Sequence, residues 1–267
     1  GFTVPAKMKA VVLTDDEPIA NQEKMLRALS HQQYANPFYI TEDINTVVTQ
    51  NIGANDNNAI NKTYTKADPY KAAFIDFQFT TKSEEPYYLV IDSRIDEENT
   101  EFRLNGETFP YYKSYRTDQV FNLASGKQNQ PIEFSLELLE EMLTIRDLNL
   151  YRFNLNQFSQ LVDEMQGRQM EIDSFSQTKI EGQIHAENDT DIFMLSIPYS
   201  DGWKVEIDDE PVETFAVLDG LLAANITSGQ HRIKLTYRTP YLYVGIATSV
   251  LSAFLLYIID KKKRLDQ

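Results

Sequence analysis

The chain of 267 residues contains no cysteine and three histidines, His31, His185 and His231. A disulfide scaffold is therefore excluded. No two histidines lie at i, i+4 and there is no cysteine, so the sequence predicts no zinc site. Two acidic clusters, residues 15–17 and 208–210, lack the spacing of a calcium loop and indicate solvated turns. We expect no metal in this segment.

The chain also lacks the short motifs that usually carry catalysis. It has no GxSxG nucleophile elbow and no glycine-rich phosphate loop. Basic residues are few: 25 Lys and Arg stand against 40 Asp and Glu, for a net charge of −15. Outside the C-terminal tail the basic residues are scattered, so no nucleic-acid partner is expected. We predict no catalytic residue here.

Long apolar runs are absent until the end of the chain, where LYVGIATSVLSAFLLYII carries no charge from Leu242 to Ile259. The alternative, a buried core helix, normally keeps a polar face, and this run offers only Thr248, Ser249 and Ser252. Its length suffices to cross a bilayer, and tyrosines flank it at interfacial positions. The sequence therefore predicts a transmembrane helix.

A basic cluster, Lys261 to Arg264, follows this run and sets the predicted orientation. Basic residues next to a span stay in the cytoplasm, so residues before about 240 should be extracytoplasmic and the C-terminus cytoplasmic. An extracytoplasmic chain without cysteine is typical of a Gram-positive bacterium. The first residues, GFTVPAKMKAVVLTD, resemble no signal peptide, so we expect a preceding span in a larger cell-membrane protein.

Alternating polar and apolar residues predict a mainly β fold. KAAFIDFQFTT, YYLVIDSR and PIEFSLEL have the two-residue period of half-buried strands, and RQMEIDSF, TKIEGQIHAE, FMLSIPY, WKVEI, LLAANI and HRIKLTY continue it. Helices are predicted for NQEKMLRALS, capped by Asn21, and for NQFSQLVDEM. We expect two β-sandwich, jelly-roll-like domains with a few short helices. The predicted boundaries are 1–66 for a connecting segment, 67–167 and 168–240 for the two domains, 241–260 for the transmembrane helix and 261–267 for the basic tail.

One aromatic turn, PYSDGW, is a candidate glycan contact. Tyr199 and Trp203 could stack on a sugar ring, and Asp201 could accept hydrogen bonds from its hydroxyls. In the competing interpretation Trp203 begins a strand with Val205 and Ile207 on the same face, which places the indole in the core. The strand pattern favours the core, and both interpretations stay open.

The C-terminal third resembles a known family. The matching residues are Pro198-Tyr199, Gly202-Trp203, Asp208, Gly220, Gly229 with His231, Tyr237 and the span that follows, and PIANQEKMLRAL is similar to a helix opening of the same family. These motifs resemble the YfhO family, polytopic bacterial membrane proteins regarded as GT-C-type glycosyltransferases. Asp209 stands where the family commonly has Gly, and Tyr241 where Gly often follows Pro.

The resemblance implies a parent enzyme that transfers a sugar from a polyprenyl-phosphate carrier to a cell-wall polymer such as teichoic acid, with a divalent cation and other membrane glycosylation proteins as further partners. It also implies that the catalytic carboxylate lies in an upstream loop, so no residue of this segment inherits a catalytic role. This segment has no cofactor of its own. The alternative hypothesis is a non-enzymatic, membrane-anchored wall-binding or scaffold module.

Overall fold

The computed structural model describes residues 1–14, 17–53, 56–57, 62–91, 95, 98–109 and 118–265. The chain forms two compact units. The central unit is Val11–Glu164, and the terminal unit combines Gly1–Ala10 with Met165–Gln267.

Strands dominate both units, as the alternation predicts, so the mainly β fold class is confirmed. The helices are α1 (Pro18–Leu29), α2 (Leu155–Gln166) and α3 (Leu242–Leu265), with a short 3-10 helix at Ala6–Ala10. The strands are β1 (Phe2–Pro5), β2 (Tyr39–Glu42), β3 (Thr46–Gln50), β4 (Asp56–Asn57), β5 (Lys62–Thr65), β6 (Phe74–Thr80), β7 (Tyr87–Ile91), β8 (Thr100–Leu104), β9 (Glu107–Thr108), β10 (Gln119–Ala124), β11 (Pro131–Leu138), β12 (Met142–Ile145), β13 (Leu148–Phe153), β14 (Glu171–Phe175), β15 (Lys179–Ala186), β16 (Asp191–Pro198), β17 (Trp203–Ile207), β18 (Glu210–Val212), β19 (Thr214–Val217), β20 (Leu221–Asn225) and β21 (Gly229–Tyr237).

The central unit is built from antiparallel sheets. Among its described residues the strand orders are β10-β7-β13-β2, β3-β6-β11-β8-β9 and β12-β5-β4. Phe77 of β6 lies opposite Phe134 of β11, and both side chains are buried. The core combines Leu89 and Leu150 of the first sheet with these rings of the second, so the two larger sheets pack face to face.

The terminal unit is a second sandwich. Its described strands form a four-stranded sheet, β1-β16-β20-β19, and a five-stranded sheet, β14-β15-β21-β17-β18. Phe193 and Leu222 of the first sheet share a core with Ile184, Val205 and Leu235 of the second. Every strand predicted for this half of the sequence is present. β15 and β17 bury alternate residues, as the two-residue period predicts, whereas β14 is exposed throughout.

The first 66 residues are divided between the two units. β1 pairs with β16 of the terminal unit, whereas β2, β3 and β5 join sheets of the central unit. All five residues of β3 are exposed, so its sequence has no pattern of a half-buried strand, although β3 belongs to a sheet of the central unit. Parts of the asparagine-rich stretch, residues 54–55 and 58–61, lie outside the described residues.

Helix α1 begins earlier than predicted. Its first residue is Pro18, and Glu17 occupies the N-cap position, so the prediction that Asn21 caps this helix is wrong. Proline fits the first turn because its missing N–H has no partner there. The Asn21 side chain instead accepts the N–H of Thr14 at 3.0 Å and donates to its carbonyl oxygen at 2.6 Å.

Helix α3 contains the predicted apolar run. Within the described residues Leu242–Ile259 is the one stretch long and apolar enough to cross a membrane, and none of it is buried. Its hydroxyl groups donate back along the helix: Thr248 Oγ1 to Val244 O at 3.0 Å, Ser249 Oγ to Gly245 O at 2.8 Å and Ser252 Oγ to Thr248 O at 2.8 Å. These bonds satisfy the hydroxyls without water.

Candidate functional site

The turn between β16 and β17 brings the three candidate residues together. The N–H of Trp203 donates to the Ser200 carbonyl at 3.0 Å, and the N–H of Gly202 donates to Ser200 Oγ at 3.3 Å. Tyr199 is bonded to the turn between β19 and β20 of the four-stranded sheet, because its N–H donates to the Gly220 carbonyl at 2.7 Å. Tyr199, Asp201 and Trp203 therefore share one fixed turn at the rim of the sandwich.

Trp203 lies at the border of the core. Its indole is half-buried and packs against the apolar cluster of the terminal unit. The Tyr237 ring contacts it from the neighbouring strand, with centroids 5.1 Å apart and an interplanar angle of 57°. One part of the indole therefore lies in the core and another part lies at the surface, so the structure agrees in part with each interpretation of the sequence.

Gly202 allows this aromatic pair to approach the turn. A Cβ atom at this position would lie 2.5 Å from Tyr237 Cε2 and 2.7 Å from the carbonyl oxygen of Arg238. The glycine also anchors the end of β21, since its carbonyl accepts the N–H of Arg238 at 2.9 Å. A side chain at Gly202 would therefore push apart the turn and the strand that leads to α3.

The turn presents an aromatic ring and a carboxylate at its surface. Tyr199 is 39% exposed and Asp201 is exposed, so a ring face and a carboxylate are both accessible to a sugar. Among the described residues, no three His, Cys, Asp or Glu side chains are grouped to hold a metal ion. The prediction for Asp15 and Asp16 lies outside those residues.

The turn is close to the apolar helix along the chain. Arg238, which bonds to Gly202, is separated from Leu242 by only Thr239, Pro240 and Tyr241. Four Cα-to-Cα steps reach at most about 14 Å. If α3 spans a bilayer, the candidate residues must therefore remain near its surface.

Two residues of the family resemblance form a hydrogen-bonded pair. His231 Nδ1 lies 2.7 Å from Asp208 Oδ2, and His231 Nε2 lies 3.0 Å from the Thr227 carbonyl. The N–H of Arg232 donates to Asp208 Oδ1 at 2.8 Å. This backbone bond, followed by the bond with His231, lowers the pKa of the Asp208 carboxyl. The pair holds the β17–β18 turn against β21, which is a structural role.

Sequence reasoning does not find how these residues meet. The Trp203–Tyr237 contact and the Asp208–His231 bond both join β17 or its turn to β21, more than 20 residues away in sequence. The signal lies in the pairing register, which aligns Trp203 with Tyr237, and a single sequence does not fix register across such a distance.

A separate cleft lies on the central unit. It has a volume of about 440 Å³ and a polar lining that includes Asn45, Gln78, Asn105 and Glu133. Asn45 Oδ1 accepts the N–H of Thr80 at 3.1 Å, and Asn105 Oδ1 accepts the N–H of Glu133 at 3.0 Å. These bonds fix both amides, whose NH₂ groups are then held in place as donors.

The two β-sandwich units and the exposed apolar helix define a β-rich, membrane-associated protein. The family model described as bacterial membrane protein YfhO matches residues 1–249, so the chain belongs to this family. The expected resemblance is confirmed. A search of curated proteins gives no match.

Two solved structures align weakly with the chain. A conserved protein of unknown function from Pseudomonas aeruginosa is 14% identical, with 72% of this chain and 93% of that chain covered and a TM-score of 0.18. A cupin 2 conserved barrel domain protein from Leptotrichia buccalis is 12% identical, with 75% and 92% covered and a TM-score of 0.14. Such low TM-scores carry no argument about fold or function.

Proposed function

We propose that this chain is the extracytoplasmic C-terminal portion of a polytopic membrane glycosyltransferase. The parent transfers a sugar from a polyprenyl-phosphate carrier to a cell-wall polymer such as teichoic acid, with a divalent cation at its upstream catalytic site. This segment contributes no catalytic residue and guides the acceptor polymer. Membership of the YfhO family supports the membrane location, and the transfer reaction is the proposal.

One observation carries this proposal. The turn with Tyr199, Asp201 and Trp203 is held to Arg238, four residues before the first residue of the apolar helix. A polyprenyl-phosphate carrier presents its sugar at the bilayer surface, and the short connection keeps the turn at that level. An aromatic ring and a carboxylate on a rigid turn are suited to hold a sugar unit of the acceptor.

The experiment uses membranes that contain the full-length parent protein. Tyr199→Ala and Asp201→Asn should raise the KM for the wall-polymer acceptor several-fold while leaving the KM for the lipid-linked donor unchanged. Tyr70→Ala is the matched control, since Tyr70 is 95% exposed and lies in the central unit. Absence of sugar transfer by the unmodified parent would refute the proposal.

Sidedness is a separate part of the proposal. We place residues before about 240 outside the cytoplasm because Lys261 to Arg264 follow the apolar run. Residues 1–267 contain no cysteine, so Tyr70→Cys introduces the single thiol of this segment, and any cysteine elsewhere in the parent is replaced by serine. A membrane-impermeant maleimide added to intact cells should label it, and a cysteine appended after Gln267 should react only after lysis. The reverse pattern would overturn the orientation.

The amide-lined cleft favours a second function, a non-enzymatic wall-binding or scaffold module. Asn45→Asp and Asn105→Asp retain the oxygens that bond to the backbone and remove the NH₂ donors. Calorimetric titration of the full chain in detergent with a neutral wall glycan should then lose its binding signal. Anionic polymer should bind only with added divalent cation, because the net charge of −15 repels it.

A further inference from the structure

The strand pairings place four chain segments at one end of the terminal unit, here called the helix-side end. Trp203 pairs with Tyr237, Lys179 with Thr236 and Pro198 with Leu221. These pairs bring together the turns 176–178, 199–202 and 218–220 and the exit segment 238–241. Helix α3 follows directly from this end.

The opposite end carries the turns 187–190, 208–209 and 226–228. Ala186 pairs there with Gly229, and Ile192 pairs with Asn225. Strand β16 runs from this end to the helix-side end over eight residues. At about 3.3 Å per residue the two ends are roughly 25 Å apart.

The two ends differ in exposed apolar surface. At the helix-side end Phe175 is 73% exposed, Tyr199 39% and Tyr241 83%. The described turns of the opposite end show no exposed large apolar side chain, and Ile226 there is buried. Aromatic residues with polar edges are enriched at the boundary between lipid and water.

The two ends also differ in charge. The basic side chains at or next to the helix-side end outnumber the acidic ones and are Lys179, Lys204 and Arg238, against Asp201 and Asp219. The opposite end is acidic. Its acidic residues are Glu187, Asp189, Asp191, Asp208, Asp209 and Glu210, against the basic residues Lys7, Lys9 and Arg168. Lys179 pairs with Glu181 at 2.9 Å, with the lysine exposed and the glutamate half-buried.

We propose that the helix-side end lies flat on the headgroup layer of the bilayer that α3 crosses. Phe175 and Tyr199 enter the interface, and Lys204 and Arg238 face lipid phosphates. The limit of about 14 Å between Arg238 and Leu242 brings this end to the surface. Aromatic and basic side chains then hold it there. This inference needs α3 to span a membrane and does not depend on sugar transfer.

The position of Phe175 distinguishes flat docking of the helix-side end from attachment to the membrane through α3 alone. Phe175 lies on β14, which is two strands away from β21, the strand that leads to α3, and three away from β17. Two strand spacings amount to about 10 Å across the sheet. The tether alone brings the β17 and β21 side close to the membrane, and only flat docking brings Phe175 there as well.

The absence of cysteine permits a direct test with the full chain in vesicles. Gln177→Cys and Thr190→Cys each create one thiol at an exposed position, at the helix-side and opposite ends respectively, and both leave Phe175 in place. Each is labelled with an environment-sensitive dye in phosphatidylcholine and phosphatidylglycerol vesicles that contain headgroup-nitroxide lipid. Quenching at position 177 should be several-fold stronger than at position 190. Equal quenching at both positions would overturn flat docking.

The single tryptophan supplies a second measurement without any label. Trp203 fluorescence should be less accessible to aqueous iodide in vesicles than in detergent. The double charge reversal Lys204→Glu with Arg238→Glu should reduce dye quenching at position 177 in anionic vesicles, while Lys9→Glu at the opposite end should leave it unchanged. Unchanged quenching in the double variant would exclude lipid phosphates as partners. No sugar donor is present, so the outcome is independent of the proposed transfer.

Discussion

The two units place their aromatic rings in different regions. Among the described residues the central unit buries nine aromatic side chains, namely Phe38, Tyr64, Phe77, Phe79, Tyr87, Phe102, Phe121, Phe134 and Phe153. The terminal unit buries one, Phe193, and its other core residues are aliphatic or methionine. Trp203, Tyr237, Tyr199 and Phe175 instead lie half-buried or exposed at the helix-side end.

This difference separates two uses of the same residue types. A ring inside a sandwich fills volume between sheets and stabilises the fold through buried area. A ring at the rim contributes less to folding and is accessible to a glycan or a lipid headgroup. Substitutions in the central unit should therefore change stability, and those at the helix-side end should change binding.

The largest effect is expected for Phe134→Ala in the central unit. Phe134 is fully buried and stacks on Phe77, with centroids 4.9 Å apart, and on Phe102 at 6.1 Å. Truncation leaves a cavity between the sheets and should cost about 3 to 5 kcal/mol. Guanidinium unfolding of the full chain in non-denaturing detergent measures this loss. Tyr70→Ala should cost less than about 0.5 kcal/mol, and a similar loss in both variants would contradict the distinction.

The next effect concerns the buried ion pairs of the central unit. Arg152 Nε donates to Glu42 Oε1 at 2.7 Å, Lys82 donates to the other oxygen of Glu42, and Arg152 also pairs with Glu85. The Glu42 side chain is only 6% exposed. Glu42→Gln should cost about 2 kcal/mol at neutral pH, because it removes one of the two carboxylate charges that pair with Arg152.

This network also predicts a dependence on pH. Burial alone would raise the pKa of Glu42, but the bonds from Lys82 and Arg152 outweigh it and lower the pKa below its ordinary value of 4.5. The ionised network stabilises the fold above that value and loses this contribution as the pH falls through the lowered pKa. Unfolding measured from pH 7 to pH 3 should show a smaller loss of stability in Glu42→Gln than in the unmodified chain. Parallel curves would contradict the assignment.

Strand β11 could be predicted from its apolar face, and strand β3, which has no buried face, could not. The alternation of Ile132, Phe134, Leu136 and Leu138 predicts β11, and all four are buried. Strand β3, TVVTQ, is exposed throughout and gives no periodic signal. The division into units is similarly hidden, because β1 joins β16 across more than 180 residues. Only long-range pairing reveals that connection.

The candidate turn shows the same limit. Its composition predicts a tight turn with an aromatic residue at the start of a strand, which the structure has. Whether the indole is core or surface depends on how far the opposite sheet extends, and that follows from the pairing of Pro198 with Leu221. Local sequence has no information on this distance, so the roles of Tyr199, Asp201 and Trp203 stay predictions.

Trp203→Ala should have an intermediate effect. Full burial of the indole would make truncation cost about 3 to 5 kcal/mol. Since Trp203 is half-buried and keeps contact with Tyr237, we expect about 2 kcal/mol. Chemical unfolding followed by circular dichroism measures the change. Trp203→Phe should recover most of it. A loss as large as that of Phe134→Ala would place the indole fully in the core.

The smallest change in stability is expected for Phe175→Ser. Phe175 is 73% exposed on the edge strand β14, so its removal takes little apolar area out of the fold and should change stability by less than about 0.5 kcal/mol. A serine keeps the backbone bonds to β15, which do not involve the side chain.

The same substitution should expose Trp203 to aqueous iodide in vesicles, because one of the aromatic contacts with the headgroups is lost. Ile172→Ser is the matched control, since Ile172 is an exposed residue of the same strand away from the helix-side end. If Phe175→Ser instead unfolds the chain, the Phe175 ring stabilises the fold. The contrast between buried rings in the central unit and surface rings in the terminal unit is then wrong for this residue.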